Sequence, residues 1–187
     1  MKKYLLCIGL TAAIIIAVIV ASYQFCNTKR YNLRQVSPLL LTLQLDQSKY
    51  HVGQPIIATI TLENTSTSPH LVNSRMALND PVLASPIREL AFHITQPKGN
   101  AYQIDGFINY PAIQIDDFVT INPNEVIKRT YELNTEYSRY QFTDLGTYTI
   151  IIDYLNIVDP GFIDSNDSRE AWKGMLFSNE VQFTIIP

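Results

Sequence analysis

Asp159, Asp164, Asn166, Asp167 and Glu170 fall within one stretch, Asn156 to Lys173, that reads NIVDPGFIDSNDSREAWK. Oxygen donors at Asp164, Asn166, Ser168 and Glu170 have the alternating spacing that suits Ca2+, a hard cation with oxygen ligands. An EF-hand loop also needs glycine at its sixth position and a closing glutamate, and Arg169 and Met175 stand there instead. A metal-free solvated loop is the simpler reading, with a Ca2+ site at Asp164, Asn166 and Glu170 as its rival. The same stretch carries Phe162, Ile163 and the only tryptophan, Trp172. Trp172 is either an exposed interface anchor or a plug over the end of a core, and the Trp-Lys-Gly step before the last strand favours the plug. Two further long segments, 78–86 and 105–117, are candidates for a recognition surface. In the second, Phe107, Asn109 and Tyr110 offer aromatic and amide contacts to a peptide or glycan.

Other chemistries find no support. The histidines are His51, His70 and His93, without an H-x-x-x-H spacing and with no cysteine after Cys26, so a zinc centre lacks ligands. There is no G-x-S-x-G elbow, and the seven glycines form no phosphate-cradling loop. Asp116 and Asp117 are adjacent; on a strand they face opposite sides and cannot work as an acid–base pair. The expectation is a protein that is not an enzyme and needs no cofactor.

Charge and cysteine usage narrow the partners. All seventeen acidic residues follow Tyr23, against ten Lys and Arg from residue 31 onward, giving that portion a formal charge near −7. Such a balance disfavours nucleic acid and anionic lipid surfaces. With no cysteine from Asn27 to Pro187, the folded part holds no internal disulfide and must rely on a hydrophobic core. About 150 residues bury roughly 68–70% of the unfolded chain's surface, enough for one domain. Asn64-Thr65-Ser66 and Asn166-Asp167-Ser168 match the N-glycosylation acceptor pattern. The MKK start and the lack of disulfides point instead to a bacterial exported protein, where those matches carry no meaning.

The run Tyr4–Tyr23, YLLCIGLTAAIIIAVIVASY, is uncharged and follows Lys2 and Lys3. As a helix it would span roughly 30 Å, the thickness of a hydrocarbon core. Residues 1–23 are read as a signal anchor or signal peptide. The apolar run is longer than a usual cleaved signal, so the uncleaved anchor is preferred, with a cut after Ser22 as the alternative. Lipidation of Cys26 is disfavoured because Phe25, not a small residue, precedes it. Residues 24–37, polar and basic, read as a juxtamembrane linker. The expected location is the cell membrane, single-pass, with the domain on the extracytoplasmic side, or secretion after cleavage.

Beyond Pro38 the apolar period is two. Leu41, Leu43 and Leu45 alternate with polar residues, as do Ile56, Ala58, Ile60 and Leu62. Between them SKYHVGQP reads as a turn containing His51, with Gly53 free to take positive φ. Weaker strands are expected near 70–76 and 101–104, and a better one at 88–95, with Leu90, Phe92 and Ile94 inward and Glu89, Ala91 and His93 outward. Strands at 118–121 and 125–134 flank the Asn122-Pro123-Asn124 turn. The alternating Tyr148, Ile150, Ile152 and Tyr154 and a last strand at 178–186 follow; a helical turn is expected only within 134–142. Short strands about ten residues apart, without an amphipathic helix, predict an all-β, Ig-like antiparallel β-sandwich over 38–187, preceded by one N-terminal transmembrane or signal helix.

Asp144-Leu145-Gly146-Thr147-Tyr148 has the D-x-G-x-Y spacing of a tyrosine corner, with Ile150 where an antibody domain places cysteine. Together with YHVGQP at 50–55, TITLENTS at 59–66, DFVTINPNE at 117–125 and LFSNEVQFTI at 176–185, it resembles the Ig-like sandwich of bacterial exported proteins. It is especially similar to the non-catalytic sandwich region of deuterolysin-type metallopeptidase precursors. The H-E-x-x-H helix of that family's catalytic part has no counterpart, so the resemblance implies a fold and not peptidase activity. The function expected is a non-catalytic, membrane-tethered binding or assembly module that recognises a protein or polysaccharide at the cell envelope through sandwich-end loops. The alternative is an Ig-fold protease inhibitor. Phe107, Tyr110, Phe162 and Trp172 are the partner-binding candidates.

Overall fold

The computed structural model describes residues 37–78, 89–99, 101–104, 112–134 and 142–187. The expected membrane or signal segment, Phe107, Tyr110 and the helical turn expected after Asn134 lie outside the described residues. Contacts mark off Pro38–Pro187 as one compact unit. No α-helix occurs among the described residues, and none of their helices is long and apolar enough to cross a membrane.

The strands form where apolar side chains recur at every second position. β1 (Leu39–Leu45) buries all four of its odd-numbered leucines, each contributing roughly 1.5–3 kcal/mol when fully buried. β2 (Lys49–His51) is short. β3 (Ile57–Asn64) buries Ala58, Ile60 and Leu62. Next come β4 (His70–Asn73), β5 (Leu90–Thr95), β6 (Ala101–Ile104), β7 (Phe118–Ile121) and β8 (Val126–Glu132). β9 (Gly146–Asn156) is the longest, burying Tyr148, Ile150, Ile152 and Tyr154. β10 (Gly174–Phe177) and β11 (Val181–Ile186) complete the chain.

These strands make two principal sheets around a common core. One has the order β1-β3-β8, antiparallel throughout. The other has the order β2-β11-β9-β5-β6, with β10 pairing β9 beyond the end of β11. Side chains from both meet in a single apolar cluster, a sandwich-like arrangement. A two-stranded ribbon, β4-β7, lies apart from both sheets and supplies Val72 and Ile121 to the same cluster. At the heart of the cluster Phe183 stacks on Tyr148 at 5.3 Å and meets Tyr50 and Phe142 edge-on at 5.7 and 5.4 Å.

The D-x-G-x-Y segment is a tyrosine corner. The hydroxyl of Tyr148 donates to the carbonyl of Asp144 at 3.0 Å. Gly146 has φ +125, and a Cβ there would lie 2.8 Å from Pro97, so both backbone shape and space require glycine. Tyr148→Phe keeps the buried ring and removes only the bond. It is expected to cost about 0.5–1.5 kcal/mol, read from the urea midpoint at unchanged m-value.

Three expectations are corrected. The SKYHVGQP segment is not a simple turn: Lys49–His51 pairs parallel with β11, so the sandwich is not wholly antiparallel. Tyr50 is the cause, being fully buried with its hydroxyl on Asp46 Oδ1 at 2.7 Å. The last strand is shorter than expected, 181–186, and a further strand not expected from the sequence, β10, precedes it and pairs with the far end of β9. Glu89 and Ala91 do not face solvent; both are 0% exposed.

The buried Glu89 is accommodated by a full set of donors. Its carboxylate accepts from Arg75 (Nη2 at 2.6 Å, Nε at 3.1 Å), Asn73 Nδ2 at 3.1 Å and Ala77 N–H at 2.8 Å. Burial pushes the Glu89 carboxyl up, with the Arg75 guanidinium and the amides opposing it. Tyr154 donates to Asn73 C=O at 2.8 Å, and burial beside Glu89 raises its phenol too. Together these bonds tie β4 to β5 and β9.

Candidate functional site

The acidic stretch after β9 is a tightly braced loop with an apolar tip. Asn156, fully buried at the end of β9, donates through Nδ2 to Val158 C=O at 3.0 Å and to Trp172 C=O at 2.7 Å, closing the neck. Asp159 then holds the returning arm: Oδ1 accepts from Ala171 N–H at 2.8 Å and Oδ2 from Lys173 Nζ at 2.5 Å. Pro160–Phe162 forms a 3-10 turn, favoured by proline at its first position. Gly161 is needed there because a Cβ would lie 2.9 Å from the Asp167 carbonyl.

Beneath the loop is a small apolar cluster of Phe118, Val158 and Ala171 with Leu71 and Ile113, to which β4 and β7 contribute. Trp172 N–H donates to Leu71 C=O at 2.8 Å, and its ring stacks on Tyr154 at 5.9 Å and 20°. Trp172 is half-buried against the main core. Its ring thus packs over the end of the core, as a plug would. Gly174, at φ +149, lies so close that a Cβ would come within 2.9 Å of the indole.

With that base fixed, the apolar residues left outside are Ile157, Phe162 and Ile163, 54%, 69% and 37% exposed. Ile157 and Phe162 border an open groove of about 410 Å3 whose other wall is Asp167, Ser168, Arg169 and Glu170. Asp167 and Arg169 clasp each other through two carboxylate oxygens at 2.6–3.0 Å, which lowers the Asp167 carboxyl and raises the guanidinium. Glu170 is exposed.

The Ca2+ candidates are placed differently from a metal cage. Asp164 Oδ1 accepts from both the backbone N–H and the Nδ2 of Asn166, at 3.0 and 3.1 Å. Asn166 therefore turns its donor, not its oxygen, to Asp164. Among the described residues no group of three or more His, Cys, Asp or Glu is gathered as for a metal ion. The histidines lie on separate elements: His51 Nδ1 meets the Pro187 carbonyl, His70 Nε2 meets Ser66 Oγ at 3.0 Å and His93 Nε2 meets Asp153 Oδ2 at 2.8 Å. Asp117 Oδ2 accepts from Gln114 N–H at 2.7 Å and caps the turn before β7. Asn64 is fully buried with both amide hydrogens used, on Ser68 C=O and Ile121 C=O, so it cannot carry a glycan.

The Asp159–Lys173 latch was not foreseen from the sequence. Its one signal was the Asp-Pro step, which starts a helical turn and leaves the carboxylate free to bond elsewhere. Lys173 holds the Asp159 carboxyl below its ordinary 3.8, so folding favours the ionised form. The latch's contribution is present above pH 3.8 and lost as pH falls through the lower folded value. As pH falls below 3.8 the wild-type melting temperature should therefore drop more steeply than that of Asp159→Asn.

An all-β domain of two sheets around one core, closed at one end by a plugged loop with an exposed tip, is the class this geometry defines. No family model matches the sequence, and no curated protein matches it. Among solved structures the chain is similar to Pseudomonas fluorescens alkylpurine DNA glycosylase AlkC bound to DNA containing an abasic site analogue. There the TM-score is 0.37 at 12% identity, over 80% of this chain and 30% of that one. The CARDB domain of a Pyrococcus furiosus protein, in complex with di-metal ions, gives 0.36 at 11%, over 79% and 87%. The Bacillus subtilis sporulation control protein Spo0M gives 0.35 at 8%, over 80% and 49%. Likeness at this level assigns neither a family nor an activity.

Proposed function

We propose that this chain is a membrane-tethered, extracytoplasmic Ig-like module that binds a partner protein at the cell envelope through the 157–163 loop, without catalysis or a cofactor. The Ig-like reading is supported by strand order. β1-β3-β8 corresponds to A-B-E and β11-β9-β5-β6 to G-F-C-C′, with the tyrosine corner at the start of F. The 157–163 loop joins F towards G, at a sandwich end where recognition loops of such domains cluster. The tether is supported by the uncharged Tyr4–Tyr23 run alone.

One observation carries the binding reading. Phe162 is 69% exposed on a loop whose base is pinned by Asn156, Asp159 and Trp172. An aromatic held out on a rigid base loses little entropy on docking. An aliphatic and aromatic tip without hydroxyls suits a protein surface better than a polysaccharide. A photoreactive phenylalanine at position 162 of the full-length chain, irradiated in the native cell, should form one discrete adduct. The same probe at exposed Gln44 of β1 should form none. Equal labelling at both positions, or none at 162, overturns the proposal, and an adduct with a protease would select the inhibitor reading.

A further inference from the structure

The domain treats the two edges of its three-stranded sheet differently. The edge of β1 is occupied: Leu43 N–H donates to Asn179 Oδ1 at 2.9 Å, and Asn179 Nδ2 donates to Leu43 C=O at 3.0 Å. A side-chain amide there takes the place of a further strand. β8 pairs only with β3 among the described residues. Its register is fixed by Asn64 N–H on Glu125 C=O at 3.1 Å and Leu133 N–H on Ile56 C=O at 2.9 Å, so the odd-numbered residues bond to β3. The backbone groups of Val126, Lys128, Thr130 and Glu132 point to the open edge. Only the Lys128 carbonyl meets a partner there among the described residues, Arg129 Nη1 at a long 3.3 Å. Arg129 also donates to Ser74 C=O at 2.9 Å, a bond that can persist when the longer one is replaced.

Open strand edges are templates for another strand. The composition of this one is complementary to itself. In an antiparallel pairing of two copies about an axis through Thr130, each Lys128 lies opposite the other copy's Glu132, and both are positions whose hydrogen-bonding groups face outward. Opposite charges directly across strands stabilise a pair and like charges destabilise it. An axis at Lys128 would oppose two lysines, and one at Arg129 two arginines. Lys128 and Glu132 are exposed, and neither forms an ion pair among the described residues. We infer that the chain self-associates through β8 in the Thr130-centred register, joining the three-stranded sheets of two copies. This surface is separate from the 157–163 loop.

The register makes a specific cross-linking pattern. Hydrogen-bonded antiparallel partners have Cα atoms about 5.5 Å apart, within the disulfide range of roughly 4.4–6.8 Å. In the full-length chain in detergent, with Cys7→Ser and Cys26→Ser, Thr130→Cys should oxidise to a linked dimer. Lys128→Cys and Glu132→Cys should each stay unlinked alone and cross-link when mixed, while Ser165→Cys on the exposed loop should not. Thr130→Pro removes the outward N–H and leaves the β3 bonds; added to the mixed pair it should cut cross-linking at least tenfold with the circular dichroism spectrum retained. Thr130→Cys linking no more than Ser165→Cys overturns the inference. So does Lys128→Cys linking to itself as readily as to Glu132→Cys, or undiminished linking in a folded proline variant.

Discussion

Glu89→Ala is expected to destabilise the domain by about 3–5 kcal/mol, the range for removing one partner of a buried ion pair. Arg75, 7% exposed in its side chain, would lose the Glu89 carboxylate from a buried site, and Asn73 Nδ2 and Ala77 N–H would lose their acceptor. Against a total of about 5–15 kcal/mol for an ordinary domain, that is a large fraction. Urea unfolding followed through the fluorescence of Trp172, the only tryptophan, measures it directly. Glu89→Gln keeps an acceptor but not the charge and should fall between wild type and alanine. Arg75→Met with Glu89→Met should recover part of the loss, because an apolar pair leaves no buried charge. A cost below about 1 kcal/mol for Glu89→Ala would contradict a stabilising role for the Arg75–Glu89 pair.

Trp172→Ala is expected to cost about 3 kcal/mol, the low end of the range for a large aromatic because the ring is half-buried. The stack on Tyr154 would be lost, and the plug over the end of the core with it. For a domain of this size the melting temperature should drop by roughly 6–12 °C. Trp172→Phe should restore part of it. The effect would reach the loop as well, since the Trp172 backbone accepts from Asn156 and donates to Leu71. Amide exchange at 157–171 should therefore quicken in Trp172→Ala beyond what global destabilisation requires. An exposed anchor would behave in the opposite way, leaving the melting temperature unchanged.

The parts of this structure that were legible beforehand are those written in short-range patterns. Alternating leucines in β1 and the Tyr148–Tyr154 alternation of β9 leave one register that buries them. The corner was legible because Gly146 and Tyr148 each have a steric or bonding reason to stand at that spacing. Trp172 as a plug was readable from its place before Gly174. What escaped depends on partners distant in sequence. Glu89 reads as an outward charge in RELAFHIT until Arg75, fourteen positions earlier, is brought against it. Tyr50 looks like part of a turn until Phe183 supplies its packing. Asn134 and Asn179 read as strand residues but lie just outside β8 and β11, where Asn134 Oδ1 takes the Ile56 N–H at 2.9 Å and Asn179 covers β1 at Leu43, both as stand-ins for backbone. Within the site, the apolar tip was visible as Phe162 and Ile163. The Asp159 latch that holds it was not, because a carboxylate's partner cannot be read from spacing alone.

The central claim is that Phe162 on its braced loop is the contact made with a partner. Once cross-linking at position 162 has named that protein, its affinity for wild type and for Phe162→Ala decides the matter. Truncating an exposed aromatic at the centre of an interface should weaken binding at least tenfold, about 1.4 kcal/mol or more, with the melting temperature unchanged. Equal affinity of the two chains for that partner would contradict the account.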